Sequence, residues 1–179
     1  MSRGRKHTFP TADTPGIDDP GRGRRVGIDV GSVRIGVAYS DRDCLMANPL
    51  ETVQAGSQAA DRVAELICTY EAVEVIIGLP RTLKGRGSDS VTKAVEFADA
   101  LSTALEQRGA RPIPCRFADE RLTTVIAQQA LRTSGRNQKK GRAVIDQIAA
   151  TAILQHWLDS RSRYLAQQST SERPIDTHE

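Results

Sequence analysis

The chain has 179 residues, 39% of them hydrophobic and only 4% aromatic. That length suits one domain with its own core, and the scarcity of rings argues against a base-stacking platform for single strands. A net charge of +3 decides little by itself. The three cysteines are scattered, with no Cys-x-x-Cys spacing, so neither a disulfide framework nor a zinc knuckle is supported. No stretch is long and apolar enough to span a membrane.

Residues 1–23 mix Arg, Gly, Pro, Asp and Thr without a period and read as a disordered tail. Their basic residues have no apolar run behind them, so no secretory signal is expected, and a reduced, cytoplasmic setting is. The domain is expected over 24–163, with 164–179 a polar, flexible C-terminal tail.

The first element is the most informative. Val26, Ile28 and Val30 alternate onto one face of a strand, while Gly27, Asp29 and Gly31 share the other. A second strand, Arg34 to Asp41, follows a tight turn. Glycine on either side of one acid leaves room for a metal ion, a phosphate or another backbone to approach Asp29. An acid in an apolar strand is costly to bury without a partner.

Leu45 to Val53 reads as a third strand. Ala60, Val63, Ala64 and Ile67 carry helical spacing to Tyr70, with Ser57 as N-cap. Val73 to Gly78 is a β-branched strand, and Thr82 to Gly87 a basic loop. A long helix from Ser88 or Ser90 ends at Gly109. Ile113 to Phe117 forms the last strand. A helix from Thr123 or Thr124 to about Thr133 and a final one from Arg142 to about Arg163 complete the chain. The order β-β-β-α-β-α-β-α-α implies a mixed α/β sheet flanked by helices, its crossovers right-handed.

Acids at three places in the chain stand out. Asp29 lies in the first strand, and Asp119 and Glu120 follow the last. Asp146 heads the final helix on the face that carries Ala149, Ala150, Ile153 and Trp157. Converging carboxylates without histidine or cysteine favour Mg²⁺ or Mn²⁺, and such ions serve phosphodiester hydrolysis. Basic residues cluster at Arg22, Arg24 and Arg25, at Arg81, Lys84 and Arg86, and at Arg132, Arg136, Lys139, Lys140 and Arg142, a footprint for polyanions. Each acid also has a plainer reading: a satisfied buried acid at Asp29, a helix-start acid at Asp119 or Glu120, an ion pair with Arg142 at Asp146.

Four blocks resemble the YqgF/RuvX family: Ile28-Asp29-Val30-Gly31 with Arg34-Ile35-Gly36-Val37-Ala38, Ile77-Gly78-Leu79-Pro80 with Gly85, Asp119-Glu120-Arg121-Leu122-Thr123-Thr124, and Asp146-Gln147-Ile148-Ala149-Ala150 with Ile153-Leu154. The resemblance spans about residues 24–160. It implies a ribonuclease-H-like fold and a nuclease of structured nucleic acid, either processing the 5′ end of pre-16S ribosomal RNA or resolving Holliday junctions. It implies Asp29, Glu120 and Asp146 as catalytic, metal-holding acids, with Asp119 the alternative to Glu120. Arg34, Lys84, Arg86, Lys139 and Lys140 are the phosphate-contact candidates. RuvC-type enzymes carry an acid at the end of the fourth strand, where this chain has Gly78-Leu79-Pro80. Rival readings are a non-catalytic nucleic-acid-binding module and an actin-like or sugar-kinase ATP-binding domain, which would need a second such domain. A symmetric homodimer would suit a two-fold junction.

Overall fold

The computed structural model describes residues 10–80, 88–119 and 138–172, with the backbone alone at 88 and 138–143. Five strands form one sheet: β1 Arg25–Val30, β2 Arg34–Ser40, β3 Ala47–Gln54, β4 Glu74–Leu79 and β5 Cys115–Asp119. The helices are α1 Ala59–Thr69, α2 Ser88–Gln107 and α3 Gln138–Ser171. The sheet order is β3-β2-β1-β4-β5. The first three strands pair antiparallel; β1, β4 and β5 run parallel. This mixed, five-stranded order with helices on both faces is the ribonuclease-H-like arrangement.

Strand alternation assigns the two faces. Val26, Ile28, Ile35, Val37, Val75 and Ile77 pack with α1 and α2 in the larger core. Ala38, Ile76 and Ala118 pack with Ala150, Ile153, Leu154, Trp157 and Leu158 of α3 in the smaller one. Two glycines let α3 lie close. A Cβ on Gly27 would stand 2.7 Å from that of Leu154 and 3.1 Å from the Ala150 carbonyl oxygen, and one on Gly36 would overlap the Asp146 carbonyl.

Beneath the other end of α3 is a buried charge network. Arg25 is fully buried, with Nε donating to Glu74 at 3.1 Å and Nη2 to Asp19 at 2.9 Å. Arg116 donates to the other Glu74 oxygen at 3.2 Å, and Arg161 of α3 clamps Asp19 through two bonds. Arg25 is therefore spent on structure and unavailable to a polyanion, which corrects its place in the first basic cluster.

The structure differs from the sequence reading at both ends. Within the expected N-terminal tail, residues 10–23 pack on the domain: the Asp13 and Phe117 main chains join at 2.7 Å, the Asp13 carboxylate takes the Phe117 N–H, and Asp19 enters the charge network. The final helix runs past Arg163 to Ser171 and takes in half of the expected C-terminal tail. The last strand begins two residues later than expected, after Pro114, because proline supplies no ladder N–H. α1 begins after Gln58, with no side-chain cap bond. The helix expected after Thr123 lies outside the described residues, as do residues 1–9 and 173–179.

Candidate active site

Asp29 and Gly36 are direct partners across the β1–β2 ladder, so their Cα atoms lie about 5 Å apart and their side-chain directions agree. Gly36 faces the first turns of α3, because its missing Cβ makes way for the Asp146 carbonyl. Asp29 therefore points to the α3 side of the sheet, beside the turn of helix that carries Asp146. Asp146, Ala150 and Leu154 follow at four-residue intervals on the stripe of α3 that meets the sheet. Two of the three acids singled out from sequence share one end of one sheet face.

That end is held from several sides. The β1–β2 turn is closed by the Gly31 N–H donating to the Arg34 carbonyl at 3.0 Å, a contact a Cβ at Gly31 would obstruct. The Gln147 amide donates to Thr52 Oγ1 at 3.0 Å, fixing the start of α3 against β3. Arg34 donates its Nε–H to Asp146 Oδ2 at 2.9 Å, both side chains being about a quarter exposed. Asp146 thus pairs with Arg34 of the strand; the side chain of Arg142, the partner in the plain reading, lies outside the described set. Lys93 of α2 reaches Ser32 in the β1–β2 turn at 2.9 Å. Sequence reasoning missed this cation, since 61 residues separate the pair and nothing local marks Lys93.

Alternation separates Asp119 from the other acids. Cys115 and Phe117 pack toward the α1–α2 core and Ala118 toward α3. Asp119 has the parity of Phe117, so it belongs to the face opposite Asp29. Glu120, Lys84 and Arg86 lie outside the described residues. Lys139 and Lys140 fall in the first turn of α3, their side chains outside the described set. No cluster of three or more metal-ligating side chains occurs among the described residues, and none of their helices is long and apolar enough to cross a membrane.

Gly78 holds the end of β4 on the α3 side, paired with Ala118. The position at which the RuvC-type pattern has an acid is a glycine in this chain.

A family model described as "RuvX: Holliday junction resolvase" matches residues 23–160. The chain belongs to the RuvX family. A relative from Corynebacterium glutamicum, named "Putative pre-16S rRNA nuclease", is 54% identical over 173 residues, covering 93% of this chain and 94% of its own length. One from Rhodococcus jostii with the same name is 55% identical over 163 residues, covering 88% and 89%. Among solved structures, Thermus thermophilus RuvC in complex with a Holliday junction substrate aligns over 79% of this chain and 96% of its own, at 20% identity and a TM-score of 0.48. The RuvX match takes in Asp29, Arg34, Gly36 and Asp146 together.

Proposed function

We propose that this RuvX-family chain is a divalent-metal-dependent nuclease that hydrolyses phosphodiester bonds in structured nucleic acid, with precursor 16S ribosomal RNA as its substrate. The observation that carries the reading is the placing of Asp29 and Asp146 at one end of the α3 face, where Gly36, across the ladder from Asp29, lets the helix turn that carries Asp146 lie close. The names of the close relatives favour the RNA substrate. The description of the family model favours a branched DNA, which is the second reading.

The donor set fits a hard cation. Both acids offer carboxylate oxygens, the hard donors such ions take, although the Arg34 guanidinium occupies one Asp146 oxygen at 2.9 Å. Asp29 and Asp146 would hold Mg²⁺ or Mn²⁺. Such an ion, when bound, polarises the phosphoryl oxygens and makes water acidic enough to attack at neutral pH. Glu120, the next acid in the sequence, would complete the donor set, since Asp119 has the parity of Phe117, which packs away from α3.

The chain's own cations hold the substrate. Arg34 and Lys93 flank the β1–β2 turn, each with a replaceable partner, and exchange it for backbone phosphates. Lys84, Arg86, Lys139 and Lys140 are the further phosphate-contact candidates from the sequence. With cations for the backbone and few aromatic residues to stack bases, the substrate would be one recognised by shape.

The test is cleavage by the purified chain of a precursor 16S RNA fragment and of a four-way DNA junction, with Mn²⁺, with Mg²⁺ and with chelator. Metal-dependent cleavage of the RNA in preference to the junction is expected. Cleavage of the junction alone would transfer the reading to resolution, and cleavage of neither would leave a binding module.

A further inference from the structure

At the opposite end of the sheet from Asp29 lies a groove of about 720 Å³, lined by residues from before β1, the end of α1 and the α2–β5 connection. Four arginines line it, Arg22, Arg24, Arg42 and Arg111, against one acid, Glu71. Two of them have only exposed acid partners: Arg22 with Asp43 at 2.8 Å and Arg42 with Glu71 at 3.1 Å. Exposed pairs of this kind are weak and exchange readily with a phosphate. Arg111 is exposed at the far wall.

Arg24 is the telling member. Its Nε is buried and has no hydrogen-bond partner among the described residues. Its guanidinium carbon sits 5.9 Å from the Tyr70 ring centre, and Tyr70 packs on Tyr39 with ring centres 4.9 Å apart. The aromatic pair steadies the cation through its ring face without neutralising it. A half-buried, positively charged group held in this way in a positively lined groove awaits an anion. The guanidiniums come from four places along the groove rather than one point, which suits an extended row of phosphates better than a single anion.

We propose that this groove binds the phosphate backbone of a second arm of the folded nucleic acid whose scissile bond sits at Asp29. Arg24 precedes Asp29 by five strand residues, a span of about 16 Å. The groove opens beside α1, and the two acids lie under α3. A straight duplex at one site does not reach the other, whereas a branched or bent molecule does. The proposal rests on the nucleic-acid reading of the site but not on catalysis, so it is measured in chelator.

The experiment follows binding of a fluorescein-labelled three-way RNA junction and of a labelled hairpin of about ten base pairs by anisotropy across a salt series. It compares the full-length wild type with the triple variant R22Q/R42Q/R111Q and with R62Q/R108Q/R163Q, which removes as many charges elsewhere. For the first variant the junction Kd rises about tenfold and the log–log salt slope falls by 2 to 3, about 0.9 per lost phosphate contact, while hairpin binding holds. The second variant binds both probes like wild type. Equal losses for the two variants or for the two probes, or no loss at all, would overturn the proposal. A failed cleavage assay would not touch it.

Discussion

Arg34 of β2 donates its Nε–H to Oδ2 of Asp146 at 2.9 Å, tying the first residue of a strand to the first acid of a helix 112 residues away. The pair sits where the proposed metal must bind, so ion pair and metal compete for one carboxylate. An ion pair about a quarter exposed on each side contributes on the order of 1 kcal/mol. Removing it with Arg34→Gln should therefore tighten Mn²⁺ binding by up to about fivefold, read by calorimetry without substrate. The same variant should weaken substrate binding, because no guanidinium remains at residue 34 to meet a phosphate. Looser Mn²⁺ binding in the variant would mean that Arg34 holds Asp146 in place for the metal rather than competing with it.

Asp29→Asn keeps the shape of the side chain and removes its charge. If Asp29 holds the metal, cleavage should fall about a thousandfold or more, since several kcal/mol of transition-state stabilisation depend on the ion. Substrate affinity should stay within about threefold of wild type, because its source is the cations. Single-turnover rates and anisotropy on one RNA fragment separate the two effects. Wild-type cleavage by this variant would remove Asp29 from the chemistry.

Much of this was legible in the chain. Gly27, Asp29 and Gly31 announce a strand face that something approaches closely, and α3 is what approaches. Asp146 among alanines announces a helix face turned to the sheet, and it meets Gly36. Periodicity reports which side of an element is buried and is silent about its partner across the fold. Nothing local could show that Arg25 is consumed by Glu74 and Asp19, or that Lys93 reaches Ser32, because those contacts join residues 6, 49 and 61 positions apart. The residues 10–23 look like a tail because their anchors, Asp13 and Asp19, act through paired polar bonds to β5 and α3 rather than through an apolar stripe.

Gly36→Ala tests the coupling of strand to helix. The new methyl would overlap the Asp146 carbonyl oxygen, a backbone atom that no rotamer change can remove. The start of α3 must lift, carrying Asp146 away from Asp29. A shift of about 1 Å at reacting groups can cost on the order of a hundredfold in rate, and that is the expected loss, together with weaker Mn²⁺ binding. Retained activity with unchanged metal affinity would show that Asp146 does not act jointly with Asp29.

Asp19 gives the fold a pH dependence of definite sign. Burial pushes its carboxyl toward neutrality, but hydrogen bonds from Arg161 and the Gly21 N–H, with the charges of Arg161 and Arg25, outweigh it and hold the pKa below 3.8. The folded state thus prefers the ionised form. The stability it brings is complete well above pH 3.8 and is lost as pH falls through the lower, folded value. Asp19→Asn leaves the buried Arg25 with Glu74 alone on its carboxylate side, a loss on the order of 3 kcal/mol at pH 7, or roughly 10 °C in Tm for a chain of this size. Scanning calorimetry from pH 7 to pH 3 should show the gap between wild type and variant closing as the acid limit is approached, because the wild-type carboxylate then loses its charge too. A gap that stays constant over that range would mean that Asp19 acts by packing alone, and that the N-terminal segment is not held to α3 by charge.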